Sequence, residues 1–180
     1  MHATKPDIAF KPPPRTALEV FEMLPEGTLA EVIDNTIYMP PSPDFWHQDT
    51  SSILHTFMNM HVISLHLGKC LYAPMDVYLD NRNVVQPDIL FIANENLSII
   101  KDGKIKGAPD LIIEILSGNR KYDTKTKKEL YEAFGVKEYF IVDPDTKETI
   151  TYYHNGSKYI KQESKKGKIV SQLLGKEFEF

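Results

Sequence analysis

The sequence has one cysteine, Cys70, in 180 residues, so no disulfide can close within the chain. It has no apolar run near the roughly 20 residues that a membrane-crossing helix needs. It lacks a Gly-rich phosphate loop, a Walker pattern and a cysteine pair for zinc. Basic charge is not in excess: the formal net charge is −4, which argues against a generic nucleic-acid coat protein. Proline and glycine, at 12 and 9 residues, fall short of a disordered composition. The start, Met1 to Arg15, lacks a basic end followed by an apolar run and reads as a loose, proline-containing arm. A soluble cytoplasmic protein is expected, with one domain over residues 16–180.

The chain does contain enough apolar residues, 42%, to bury a sizeable core. Its charge is uneven. Residues 1–100 carry 5 basic against 12 acidic residues, and residues 101–180 carry 16 against 13. The basic groups gather around Arg120–Lys128 and Lys158–Lys168. That asymmetry is compatible with a local polyanion contact and equally with two solvated faces.

Hydrophobic spacing predicts a helix over Thr16–Leu24 and a hairpin over Leu29–Met39 turning at Asp34-Asn35. After a connector of Pro40, Pro41 and Pro43, a long helix is predicted over His47–Leu67. Its stripe comprises Ile53, Leu54, Phe57, Met58, His61 and Leu65, and Gly68 is its stop. Strands are predicted over Cys70–Leu79, Val84–Ile92 and Leu111–Leu116, with turns at Asp80-Asn81 and Lys101–Gly107. A second helix follows over Asp123–Phe134, capped by Asp123. Then come a strand over Tyr139–Val142 and a hairpin of Thr149–His154 and Lys158–Lys161 around Asn155-Gly156. The order predicts an α/β or α+β domain with a mixed central sheet flanked by helices.

Four polar residues break this pattern. Glu114 sits inside Leu111-Ile-Ile-Glu-Ile-Leu116, a run apolar enough for a strand buried on both faces. A buried carboxylate needs a cation, a hydrogen-bond donor or a proton. Asp88 opens the apolar run Ile89–Ile92, a place also common for an ordinary turn residue. Lys127 projects onto the face of its helix shared by Leu130, Tyr131 and Phe134, whereas Lys125 and Lys128 point elsewhere. It either faces the sheet or snorkels with a buried stem. Glu31 alternates in phase with Leu29 and Ile33, so it faces the core or lies on an exposed hairpin edge.

Two carboxylates on neighbouring strands form a hard oxygen site suited to Mg²⁺, or Mn²⁺, which keeps waters and takes substrate phosphate. A nearby lysine can orient water or neutralise phosphate charge. Asp88, Glu114 and Lys127 are thus the right residue types for phosphodiester hydrolysis. His47, His55, His61 and His66 are read as packing or solvent residues, and Cys70 as a small core residue.

Several segments together resemble the Uma-two family of restriction-endonuclease-like proteins. They are Glu31-Val-Ile-Asp34, Met39-Pro-Pro-Ser-Pro43 with His47-Gln48, Ala73-Pro-Met-Asp-Val77, Gln86-Pro-Asp-Ile89, Gly107–Ser117, Asp123 with Lys127 and Tyr131, and Gly135–Pro144. The resemblance implies the PD-(D/E)XK nuclease fold, with Asp88 and Glu114 as metal carboxylates, Glu31 as an additional acid and Gln86 lining the site. The usual lysine position, two residues after the second acid, is Leu116 here. The resemblance places that lysine at Lys127. Ser117-Gly-Asn119 departs from the Ser-Pro-Ser or Ser-Pro-Thr of relatives.

The resulting expectation is a Mg²⁺-dependent DNA endonuclease. The alternatives are a non-catalytic nuclease-fold module for nucleic-acid or protein binding, and a hydrolase of a small phosphorylated molecule. A homodimer is expected, since a second copy often covers the edge strands of a small mixed sheet.

Overall fold

A computed structural model describes residues 13–117 and 122–180, with only the backbone at 122–124. The first twelve residues of the expected arm therefore lie outside the described residues, as do Gly118, Asn119 and the side chain of Asp123.

Thr16 caps a short helix, α1 (Ala17–Phe21), its hydroxyl accepting from the Glu19 amide. β1 (Glu31–Ile33) turns into β2 (Thr36–Tyr38) through Asp34 and Asn35, both with positive φ, as their residue types predict. Asp44 then caps α2 (Phe45–Ser64) by accepting from the His47 amide. This helix starts two residues earlier than predicted and does not end at Gly68. His66 makes the left-handed turn, and Gly68 opens β3 (Gly68–Tyr72). A Cβ at Gly68 would lie 2.0 Å from the Ile92 carbonyl oxygen, so close strand pairing requires glycine here.

Two predicted strands each divide. Cys70–Leu79 breaks at Ala73-Pro74 into β3 and β4 (Val77–Tyr78). Val84–Ile92 breaks at Pro87, which has no amide to give a ladder, into β5 (Val84–Val85) and β6 (Ile89–Ala93). The predicted turn at Lys101–Gly107 contains a hairpin of β7 (Ile100–Lys101) and β8 (Lys104–Lys106). After β9 (Leu111–Ile115), a wide helical turn over Tyr122–Lys127 leads into α3 (Lys128–Ala133). β10 (Glu138–Val142), β11 (Glu148–His154) and β12 (Tyr159–Lys161) follow as predicted. β13 (Lys165–Lys166) and the hairpin of β14 (Lys168–Ser171) and β15 (Lys176–Glu179) were not anticipated.

The central sheet is mixed. Its main path runs β12-β11-β10-β9-β6-β3, with β13 attached to β11; β9 and β10 are parallel and the other pairs antiparallel. A second sheet, β2-β1-β5-β4-β8-β7, collects the N-terminal hairpin and the pieces split from the longer strands. Leu54, Met58 and Val62 of α2 cover one face of the central sheet, over Ile89, Phe91 and Ile113, together with Ile169 and Phe178 of the C-terminal hairpin. The opposite face, including Leu90, Ile112 and Ile141, packs on Tyr131 of α3 and on Val77 and Val85 of the second sheet. Fully burying each such side chain contributes roughly 1.5–3 kcal/mol. Phe57 and Leu65, placed in the predicted stripe, are exposed, because α2 lies on the sheet by its 47-50-54-58-62 edge. The result is an α+β, restriction-endonuclease-like architecture. Among the described residues no helix is long and apolar enough to cross a membrane.

Candidate active site

The site forms where β6 and β9 part. Their register pairs Ile89 with Ile113, so the next ladder position sets Asp88 opposite Glu114. Asp88 lies just before β6. Its Oδ2 accepts from the Ile115 amide at 2.7 Å and thereby satisfies a strand-end donor. The same oxygen lies 3.2 Å from Nε2 of His47, which the first turn of α2 delivers.

Glu114, within β9 and opposite Asp88, is 3% exposed and lines the same cavity. Lys127 Nζ donates to both of its carboxylate oxygens at 3.0 Å. The Tyr131 hydroxyl donates to Oε1 at 2.7 Å. Lys127 and Tyr131 are four residues apart on one helical face, so both reach the same strand position. Lys127 ends the wide turn before α3, a distortion that recurs at functional sites. Its ammonium also lies 3.1 Å from Oε1 of Glu31, which β1 brings in from the second sheet. Glu31 is held in turn by the Gln86 amide at 2.8 Å. The Gln86 side chain donates to Asp76 Oδ1 at 2.8 Å and to the Thr28 carbonyl at 3.1 Å.

One cavity of about 410 Å³ is lined by all five sequence-predicted residues: Glu31, Gln86, Asp88, Glu114 and Lys127. The ambiguity at Lys127 is thereby resolved, since it faces the sheet and is buried. Glu31 is a core-facing acid rather than a hairpin-edge residue. Removing these charges from water is costly, and the contacts of Lys127 with two carboxylates offset that cost. Burial, and then the negative charges of Glu114 and Glu31, push the Tyr131 hydroxyl well above its ordinary pKa, so it remains a proton-bearing donor.

Sequence reasoning read His47 as a packing or solvent residue and Tyr131 as part of the apolar helix face, although the resemblance included both. His47 is buried beside Asp88, a contact 41 positions away in sequence that no local period could reveal. Tyr131 lies on the predicted inward face, but its hydroxyl has meaning only once Glu114 is across from it. Of the other three histidines in or near α2, His61 Nε2 contacts the Leu174 carbonyl at 2.9 Å, His55 packs on Tyr72 and His66 is exposed. Cys70 is a buried core residue.

No group of three or more His, Cys, Asp or Glu residues in metal-binding geometry occurs among the described residues. The donors fit a sparser scheme. Asp88 and Glu114 are hard oxygen groups on neighbouring strands at a cavity, and Mg²⁺ takes one or two carboxylates with water completing its shell.

The fold matches a crystal structure of a putative nuclease belonging to DUF820 from Anabaena variabilis ATCC 29413. The TM-score is 0.67 at 23% identity, over 84% of this chain and 83% of that one. No curated protein sequence matches the chain. A family model described as "Putative restriction endonuclease" matches residues 17–179, nearly the whole chain, and on that match this protein belongs to the Uma2 family.

Proposed function

We propose that the protein is a Mg²⁺-dependent endonuclease, with Mn²⁺ as a substitute, that hydrolyses DNA phosphodiester bonds at the Asp88–Glu114–Lys127 site. The observation that carries this reading is the buried Lys127 ammonium held by Glu114 and Glu31 at a cavity that also contains Asp88. Asp88 and Glu114 would hold the ion, which supplies phosphate polarisation and a more acidic bound water. Lys127, in contact with carboxylate oxygens from two strands, serves as a fixed cation. It is placed to offset negative charge that develops on a phosphate. Glu31 and Tyr131 keep the lysine and Glu114 in place, and Gln86 fixes Glu31. His47 and the Ile115 amide orient Asp88 through one oxygen.

The test is cleavage of supercoiled and linear DNA in Mg²⁺, in Mn²⁺ and in EDTA. Activity should require the ion and fall by roughly a hundredfold or more in Asp88→Asn, Glu114→Gln and Lys127→Met. Normal cleavage by any one of these variants removes that residue from the mechanism.

A non-catalytic nucleic-acid or protein-binding module is the second reading. It is favoured by the engagement of both Glu114 oxygens with Lys127 and by the net charge of −4. Salt-sensitive DNA binding without turnover in either ion would establish it. We also propose self-association, since β3 and β12 end the main path of the central sheet as edges. Monomeric sedimentation at high concentration would exclude that.

A further inference from the structure

The walls of the cavity differ from its floor. Glu31, Asp88 and Glu114 make the floor acidic, and among the described lining residues Lys127 is the one Lys or Arg. The rim instead carries Tyr38, Met39, Tyr72 and four prolines. Met39 is 64% exposed and Tyr72 59%, although both are large and apolar. Tyr72 sits at the end of edge strand β3, its ring supported by His55 at 4.4 Å between centroids. Tyr38 ends β2 on the facing sheet, and the proline run that follows restricts the backbone beside it. Phe45, 69% exposed, precedes the lining residue Gln48 by three positions and so lies on a neighbouring side of α2.

Among the described residues, the rim offers aromatic rings to a nucleic acid. A base within a duplex has both faces covered by its neighbours, whereas an unpaired base has a face to give. Rings beside a backbone-tracking site are the physical means of holding such a strand. A cavity of about 410 Å³ lies within the size that encloses a small-molecule-sized group rather than a double helix.

We propose that the site takes single-stranded DNA, with an unpaired base stacked on Tyr72 and the backbone held at the acidic floor through the divalent cation of the nuclease reading. This rests on the nuclease reading above and specifies its substrate.

The test is fluorescence anisotropy of the full chain with a short end-labelled oligodeoxynucleotide, single-stranded or annealed to its complement, in Ca²⁺. The single strand should bind about tenfold tighter or better than the duplex. Tyr72→Ala should weaken it by roughly fivefold or more, the lower end for one stacked base. Tyr72→Phe keeps the ring and should keep the affinity, and thermal melting checks that each variant is folded. Equal or tighter duplex binding, no binding of either form, or unchanged affinity in folded Tyr72→Ala overturns the proposal. Tyrosine-dependent strand binding with no cleavage in Mg²⁺ would leave this inference standing and defeat hydrolysis. Duplex cleavage with no single-strand preference would do the reverse.

Discussion

Lys127 Nζ lies 3.0 Å from both carboxylate oxygens of Glu114, and the two side chains are 5% and 3% exposed as residues. The pair links α3 to the middle of the central sheet, and its contact with Glu31 extends it into the second sheet. Removing one partner leaves a buried charge uncompensated, at a typical cost of about 3–5 kcal/mol. Lys127→Met should therefore destabilise strongly, because two acids lose their cation. The double variant Lys127→Met with Glu114→Gln should recover part of that loss. Urea denaturation of the two singles and the double measures the coupling, and simple additivity would contradict it.

Tyr131→Phe removes one hydroxyl and keeps the ring packed on Tyr139. Hydrogen bonds to charged groups contribute about 1.5–3 kcal/mol, and loss of that order is expected in stability. DNA cleavage should fall moderately while DNA binding stays constant, since the hydroxyl acts through Glu114. A variant as stable and active as the parent would show that the hydroxyl does not position Glu114.

Glu138 supplies a pH dependence away from the site. It accepts from Ser171 Oγ at 2.6 Å and from the Gln172 and Leu173 amides at 2.7 and 2.9 Å, tying the C-terminal hairpin to β10. Burial nonetheless pushes its carboxyl above the ordinary value of 4.5. The folded state then holds the proton more tightly than the unfolded one. This group's contribution is fully present below about pH 4.5 and declines as pH rises through the raised folded value. Glu138→Gln mimics the protonated form, so its stability relative to the parent should improve from pH 4 to pH 8. A difference that stays flat across denaturation curves at those pH values would contradict this.

Burial at 6% exposure pushes the Cys70 thiol up to about 12. The thiolate is the reactive form, so a thiol reagent at pH 8 should modify native protein far more slowly than denatured protein. Rapid labelling of the folded chain would show that β3 opens readily.

Much of the site was legible because it violates local patterns. A carboxylate inside Leu-Ile-Ile-Glu-Ile has few places to go, and helical projection alone separated Lys127 from Lys125 and Lys128. Asp88 was ambiguous because strand-entry acids are common, and its contacts with the Ile115 amide and His47 distinguish it. The role of His47 was hidden because nothing near it in sequence signals Asp88. The division of Val84–Ile92 between two sheets was also hidden. Alternation marks which residues are apolar, and Pro87 marks a break, but neither says which sheet receives each half. The buried edge of α2 was misjudged for a similar reason: Phe57 and Met58 are both apolar, and tertiary packing chose Met58.

The most direct measurement of the central claim is single-turnover cleavage of end-labelled DNA in Mg²⁺, comparing the parent with Asp88→Asn, whose folding is verified by its melting curve. Among the described residues Asp88 shares no partner with the Lys127 network, so its loss tests chemistry with least disturbance to the buried charges. The expected result is ion-dependent strand scission by the parent and a rate lower by roughly a hundredfold or more in the variant. Cleavage at the parental rate by folded Asp88→Asn, or no cleavage by the parent in Mg²⁺ or Mn²⁺, would contradict it.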